Sequence, residues 1–267
     1  MNILITGGNG YIGKSLYNAF KDMCDVTVVT RSDFDLTSYE AMNKFFQGKY
    51  FDVILHTAVK GGSRLTEDSY TDMDINLTMY YNLLQHKSHY NKLIHFGSGA
   101  EIYNPESPYG LSKRVISKSI SNIDNFYDIR IYAVFDENEL DTRFIKSNIL
   151  RYINNEPMEI YENKEMDFFY MQDLIKIVDY CIQTNDPYKS AIHCTYTDVF
   201  RLRQIAEMIN NLDTHRVRIE VELDNGKPYT GAFNDLVLPY DGLAFGIKET
   251  YNLAKNCASC WASSYCF

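Results

Sequence analysis

Thr6-Gly7-Gly8-Asn9-Gly10-Tyr11-Ile12-Gly13 follows the apolar run Asn2–Thr6 and opens a stretch of helical periodicity from Ile12 to Met23. Gly7, Gly10 and Gly13 are spaced so that a tight turn can bring bare backbone up to a pyrophosphate. The first-turn amides and the dipole of the following helix then face the anion. Tyr11 and Ile12 stand at the helix start, inside the same turn. A glycine pattern alone is weak evidence; a strand directly before it and a helix directly after it give it meaning. The competing reading is a purely structural turn between strand and helix.

Outward from this turn the rhythm repeats. Val26–Thr30, Asp52–His56, Lys92–Phe96 and Tyr127–Ala133 read as further buried strands, and Ser38–Phe46, Tyr70–His86 and Ser107–Ser121 as the helices between them. Alternation of this kind predicts an α/β fold, a Rossmann-type doubly wound parallel sheet covered on both faces. After Val134 the pattern changes: a helix near Thr142–Ile153, an extended piece at Met158–Tyr161, Asp167–Met171 leading into a helix, and a return at Ala191–Cys194. The expected organisation is a dinucleotide-binding domain over 1–134, rejoined by a helix and strand near 172–195. A smaller α/β substrate-binding lobe is expected over 135–255, with a disordered tail over 256–267. No internal repeat or low-complexity linker separates the two.

The chain has 267 residues, 45% of them hydrophobic, enough to bury a large core without disulfides. Its formal net charge is −9 with no basic run, which argues against a nucleic-acid partner. The N-terminus reads as a strand rather than a leader, and the apolar runs fall far short of the ~20 residues that span a bilayer. A cytoplasmic protein with no membrane partner is expected. Of six cysteines, Cys257, Cys260 and Cys266 crowd into the tail. A Cys-x-x-Cys pair can bind metal or cycle as a disulfide, but a closed zinc site wants four ligands, so no metal is expected.

Tyr109-Gly110-Leu111-Ser112-Lys113 places a phenol and an ammonium four residues apart, on one face of a helix. A nearby cation stabilises phenolate and lowers the tyrosine pKa from about 10, which suits the phenol to proton transfer near neutral pH. The competing reading is a half-buried aromatic beside a solvated lysine. At the end of the second strand, where NAD-preferring sites carry an acidic residue, the sequence reads Thr30-Arg31-Ser32. Arg31 reads either as the partner of a 2′-phosphate, favouring NADP(H), or as a solvated surface arginine. Asp35 and Leu36 are expected to approach the adenine ring.

The glycine turn combined with Tyr109-x-x-x-Lys113 after the fourth strand resembles the extended short-chain dehydrogenase/reductase family, also called the NAD-dependent epimerase/dehydratase family. Asp52–Ala58, Asn76 with Asn82-Leu83-Leu84, Asp167–Leu174, Lys227-Pro228 and Gly246–Tyr251 extend the resemblance to about Lys255. Ala58-Val59-Lys60-Gly61-Gly62 is similar to the corresponding loop of the GDP-L-fucose synthase-like epimerase/reductases. The resemblance implies Tyr109 as proton donor to a sugar C4 oxygen. It implies Lys113 as the group that lowers the Tyr109 pKa and holds the nicotinamide ribose, and it adds Ala58 to the cofactor residues. Lys60, Arg143, Lys227 and Tyr229 are the candidates for contacting a nucleotide-sugar substrate.

The departures bear on activity. Gly99 stands in the family's Ser/Thr slot, with Ser98 adjacent as a substitute hydroxyl. Glu101 occupies the slot where related dehydratases carry a glutamate; a carboxylate withdrawn from water becomes basic enough to take a proton beside a ketone, whereas an exposed one would be inert. Met166 replaces a common arginine, and the connector Tyr103–Pro108 is short for a substrate lid.

Three functions follow as expectations. The first is an NADP(H)-dependent epimerase/reductase of a 4-keto-6-deoxy sugar nucleotide, with NAD(H) as the alternative cofactor. The second is a 4-epimerase or 4,6-dehydratase that retains its NAD. The third is a cofactor-binding regulatory protein with weak catalysis. The resemblance also implies a homodimer.

Overall fold

In the computed structural model the opening strand β1 (Asn2–Thr6) lies between β2 (Asp25–Val29) and β3 (Phe51–His56), parallel to both, with Ile3 opposite Val26 on one side and Val53 on the other. The structure describes residues 1–63, 66–186, 190–232 and 236–263, with 257–263 as backbone alone. Beyond β3 the sheet continues through β4 (Tyr90–Ser98) and β5 (Phe126–Ile131). A two-residue strand, Ile192–His193, forms the edge and is numbered β9 in chain order. The resulting order, β2-β1-β3-β4-β5-β9, is parallel throughout. The doubly wound parallel sheet expected from the alternating pattern is therefore present.

The helices between these strands start where the sequence supplies caps. Helix α1 (Tyr11–Phe20) begins at Gly10, and α2 (Tyr39–Phe46) at Ser38, whose hydroxyl accepts from the Ala41 amide. Helix α3 (Tyr70–Gln85) opens on a capping box in which Ser69 and Asp72 satisfy one another's backbone amides. A single turn, α4 (Ala100–Tyr103), precedes α5 (Pro108–Ile120), which has Ser107 as N-cap and a proline in its first turn. On one face of the sheet Leu4, Ile54, Leu93 and Phe126 pack with Met42, Phe46, Leu83 and Ile116 into a continuous core.

The chain divides into two compact units. The first comprises Met1–Ile131 and Ile175–His193; the second comprises Tyr132–Leu174 and the chain from Cys194 onward. The division explains why the expected single strand Tyr127–Ala133 is cut at Ile131. The next strand, β6 (Val134–Phe135), pairs with β8 (Phe169–Tyr170) in a separate ladder of the second unit. There α6 (Phe144–Ile153) precedes β7 (Met158–Glu162), which pairs in parallel with β10 (Ile219–Leu223). Helix α7 (Met171–Gln183) leads the chain back to the first unit. Helices α8 (Leu202–Asn210) and α9 (Leu243–Ser263) complete the second unit. Its core joins Ile145, Ile149 and Tyr152 to Ile205, Ile209 and Ile247.

The backbone of the expected tail is helical as far as Ser263, the end of α9; Cys266 lies outside the described residues, as do the side chains of Cys257 and Cys260. No helix among the described residues is long and apolar enough to cross a membrane, and no group of His, Cys, Asp and Glu among them is arranged to hold a metal ion.

Candidate active site

The glycine turn is built for close backbone approach. Gly7 has a φ of +73°, and a Cβ there would lie 2.6 Å from the Ala58 Cα and amide nitrogen; a Cβ at Gly13 would lie 2.7 Å from the Gly7 carbonyl oxygen. Thr57 fixes the approach by donating its hydroxyl to the Thr6 carbonyl at 2.7 Å. The Thr6 hydroxyl is bonded at 2.8 Å to Nδ1 of the buried His56. Helix α1 has no side-chain cap at Gly10 and no acidic residue in its first turn. Its leading amides and positive dipole end are therefore suited to an external anion. Tyr11 and Ile12 form that first turn, both half-buried. A cradle that any Cβ would fill, at an uncapped helix start, fits the pyrophosphate of a dinucleotide.

At the end of β2 the turn folds on itself. The Asp33 carboxylate accepts from the Thr30 amide at 2.7 Å and its hydroxyl at 2.8 Å, and these bonds hold its pKa below the ordinary value. Arg31 stands exposed in this turn. Asp35 caps the next turn, accepting from the Thr37 amide at 2.9 Å and hydroxyl at 2.8 Å. Leu36 packs against the sheet core while its carbonyl accepts from the Asn82 side-chain Nδ2 at 2.9 Å. Asp35 thus has a local structural duty, holding the turn at Thr37.

Tyr109 and Lys113 come together on α5. The Lys113 ammonium lies 5.8 Å from the Tyr109 ring centroid and donates to the Phe96 carbonyl at 2.5 Å. Lys113 is buried, and desolvation lowers its pKa to about 8 against the opposing charges of Asp128 and Glu101. The loop after β3 closes on the same ring: Gly62, with φ +73°, would place a Cβ 2.7 Å from the Tyr109 Cζ. Buried Asn76 holds this loop. Its side-chain oxygen accepts from the Lys60 amide at 2.8 Å, and its nitrogen donates to the Lys60 carbonyl at 2.9 Å and the Ser112 hydroxyl at 3.3 Å. The Lys60 side chain itself is exposed.

Ser98 ends β4 with its hydroxyl oxygen accepting from the Ala100 amide at 3.2 Å, which leaves the O–H to donate elsewhere. Gly99 starts the α4 turn. For Glu101 the geometry argues against the expected base. Its carboxylate is buried and gripped by the Arg130 guanidinium through two bonds, at 2.7 and 2.9 Å. With both oxygens taken by Arg130, and Oε1 also accepting from the Ser98 amide at 3.3 Å, its acceptor sites are used within the fold. Two charged residues not singled out from the sequence therefore matter here, Arg130 and its neighbour Asp128. The signal was available: Asp128 and Arg130 alternate along Phe126–Ile131, so both point from one face of a strand that the pattern buries.

The remaining candidates belong to the second unit. Arg143 is the N-cap of α6 and faces Glu139, whose carboxyl is pushed up to about 8 by burial while Arg143 pulls it down. Lys227 is exposed. Tyr229 is fixed by backbone bonds to Glu165 and Asp167, with its ring edge-on to Tyr132 at 5.7 Å. Met166 is buried in the core of this unit, so it takes no part in binding an anion.

A profile of the NAD dependent epimerase/dehydratase family matches residues 3–193. No curated protein matches the sequence significantly. Among solved structures, a GDP-6-OMe-4-keto-L-xylo-heptose reductase from C. jejuni superposes with a TM-score of 0.78 at 15% identity, covering 96% of this chain and 98% of that one. A GDP-mannoheptose C4 reductase from Campylobacter jejuni, with NADP bound, gives 0.76 at 16% identity over 95% and 98%. UDP-glucose 4-epimerase from Thermotoga maritima gives 0.76 at 16% over 97% and 100%. At these identities the likeness is one of fold.

Proposed function

We infer that this chain, which belongs to the NAD dependent epimerase/dehydratase family, is an NADPH-dependent epimerase/reductase of a keto sugar carried on a nucleotide, of the 4-keto-6-deoxy class. The observation that carries the reductive step is the buried Lys113 ammonium 5.8 Å from the Tyr109 ring, downstream of the Gly7–Gly13 cradle. Gly7, Gly10 and Gly13 hold the pyrophosphate, Ala58 closes the cradle, and Arg31 takes the 2′-phosphate. The nicotinamide, when bound, supplies hydride to the carbonyl carbon. Tyr109 gives its phenolic proton to the carbonyl oxygen, and the Lys113 charge stabilises the phenolate left behind. Ser98 donates to the same oxygen from the slot beside Gly99. Arg143, Lys227 and Tyr229 are our candidates for contacting the nucleotide-sugar diphosphate, the Arg143 charge being incompletely cancelled where burial keeps Glu139 protonated at neutral pH.

The NAD-retaining epimerase or dehydratase is the second reading, and the Arg130 grip on Glu101 weighs against it by withdrawing its candidate base. Incubation with NADPH and GDP-, dTDP-, UDP- and CDP-linked 4-keto-6-deoxy sugars tests the proposal. Net NADPH oxidation matched by reduced sugar supports it. Product without net oxidation transfers the assignment to the second reading, and no turnover with any sugar despite NADPH binding leaves the regulatory protein.

A further inference from the structure

Behind Lys113, on the face of the sheet that α5 covers, lies a carboxylate that the scheme above does not use. Asp128 is 3% exposed, yet neither of its oxygens meets a donor in full hydrogen-bond geometry. The site is made for it: a Cβ on Gly97 would lie 2.7 Å from the Asp128 Oδ1. A buried carboxylate with no more than a loosely placed Ser117 hydroxyl beside it is costly, so its presence calls for a use. Asp128 also lines the floor of a cleft of about 590 Å³ with Ser117, Lys118, Arg130 and His193, between α5 and the β5–β9 edge.

Resting on the reductase reading, we propose that Asp128 returns the proton to Lys113, completing a relay that runs from the Tyr109 phenol through Lys113 and Asp128 to the cleft beneath α5. Reduction consumes one proton per turnover. The Tyr109 O–H bond breaks as the proton passes to the sugar oxygen, the Lys113 ammonium reprotonates the phenolate, and the Asp128 carboxyl reprotonates the Lys113 amine, directly or through one water. The Asp128 carboxylate then takes a proton from a solvent acid in the cleft.

The other groups facing Asp128 cannot fill this place. Glu101 is held by Arg130, and Arg130 keeps its charge. His95, from β4, is kept neutral by burial and by the Lys113 charge, as is His56, from β3, whose pKa falls to about 3. Tyr80, on α3, is pushed up to about 12 by burial. His193 beyond Arg130 is lowered to about 4, also by burial. Asp128 is raised well above the ordinary carboxylate range, first by burial and then by the Glu101 charge, with Ser117, Arg130 and Lys113 opposing. It is the carboxyl in this cluster suited to give a proton to Lys113 near neutrality.

Two measurements test the relay. In protein carrying ¹³Cε-lysine, with the Lys113 signal assigned from Lys113→Arg, the Lys113 titration is expected to show a second inflection below its own midpoint, absent in Asp128→Asn. A single inflection in the wild type overturns the proposal without reference to any variant or sugar. In stopped flow with NADPH and whichever nucleotide sugar the panel identifies, Asp128→Asn is read by the rate of its later turnovers against that of its own first. Later turnovers should then slow by about tenfold or more, and imidazole or formate should restore them. Equal slowing of first and later turnovers, with no rescue, would mark Asp128 as structural. Tyr109→Phe separates the two claims: if it turns over normally, the reductase site itself is wrong, whatever Asp128→Asn does.

Discussion

Lys113 carries its charge where packing opposes one, and the consequence is measurable as stability. Its folded pKa of about 8 lies below the ordinary 10.5. Below pH 8 the buried ammonium therefore bears the full desolvation cost, and by pH 10.5 that cost has gone. Lys113→Met is expected to raise the melting temperature at pH 7, recovering on the order of 3 kcal/mol, with the gain shrinking as pH rises through 8 to 10.5. Turnover should be lost in the same variant. Thermal melts at pH 7 and 10 check this. Tyr109→Phe should bind NADPH with unchanged affinity and lose about 100-fold or more in turnover, measured by fluorescence titration beside NADPH oxidation. Both residues are legible in the sequence, because Tyr-x-x-x-Lys is a spacing on one helix face. Glu101 is not legible in the same way: its role depends on Arg130, 29 residues away and brought beside it only by the sheet.

Elements are held by contacts that no local pattern announces. Lys92, first in an expected strand, is buried and donates to the carbonyls of Cys181, Ile182 and Thr184, closing the C-terminal end of α7. Lys92→Met should therefore destabilise the protein by about 2–3 kcal/mol, since it leaves buried carbonyls unsatisfied; a urea melt decides. The loop after β3 offers a second test. Gly62→Ala forces a side chain into a left-handed backbone and against the Tyr109 ring. It should lower kcat while sparing NADPH affinity, read from steady-state kinetics and titration. The sheet strands of the first unit follow from short, nearly continuous apolar runs, and its helix starts coincide with Ser38, Ser69 and Ser107. In the second unit β6 and β8 are two residues each, too short to leave a period, and their pairing is set by tertiary contact.

For the molecule as a whole, buried acids set the pH response above neutrality. Burial raises Glu139 to about 8 and lifts Asp128 as well. Between pH 6.5 and 8 the native state thus holds protons that the unfolded chain has released, so stability falls as pH rises through this window. Urea midpoints should decline from pH 6.5 to 8, and Glu139→Gln should flatten the decline; a rise with pH would contradict the assignment. On the proposed reading, the same burial of charge at Lys113 sets one phenol, Tyr109, apart from the other tyrosines among the chain's 22. That is measured most directly by ultraviolet difference titration of the NADPH-bound protein, wild type minus Tyr109→Phe, following phenolate absorbance. The account predicts one phenolate appearing well below pH 10 and moving back up in Lys113→Met. A difference spectrum that titrates at the ordinary tyrosine pH in both backgrounds contradicts it.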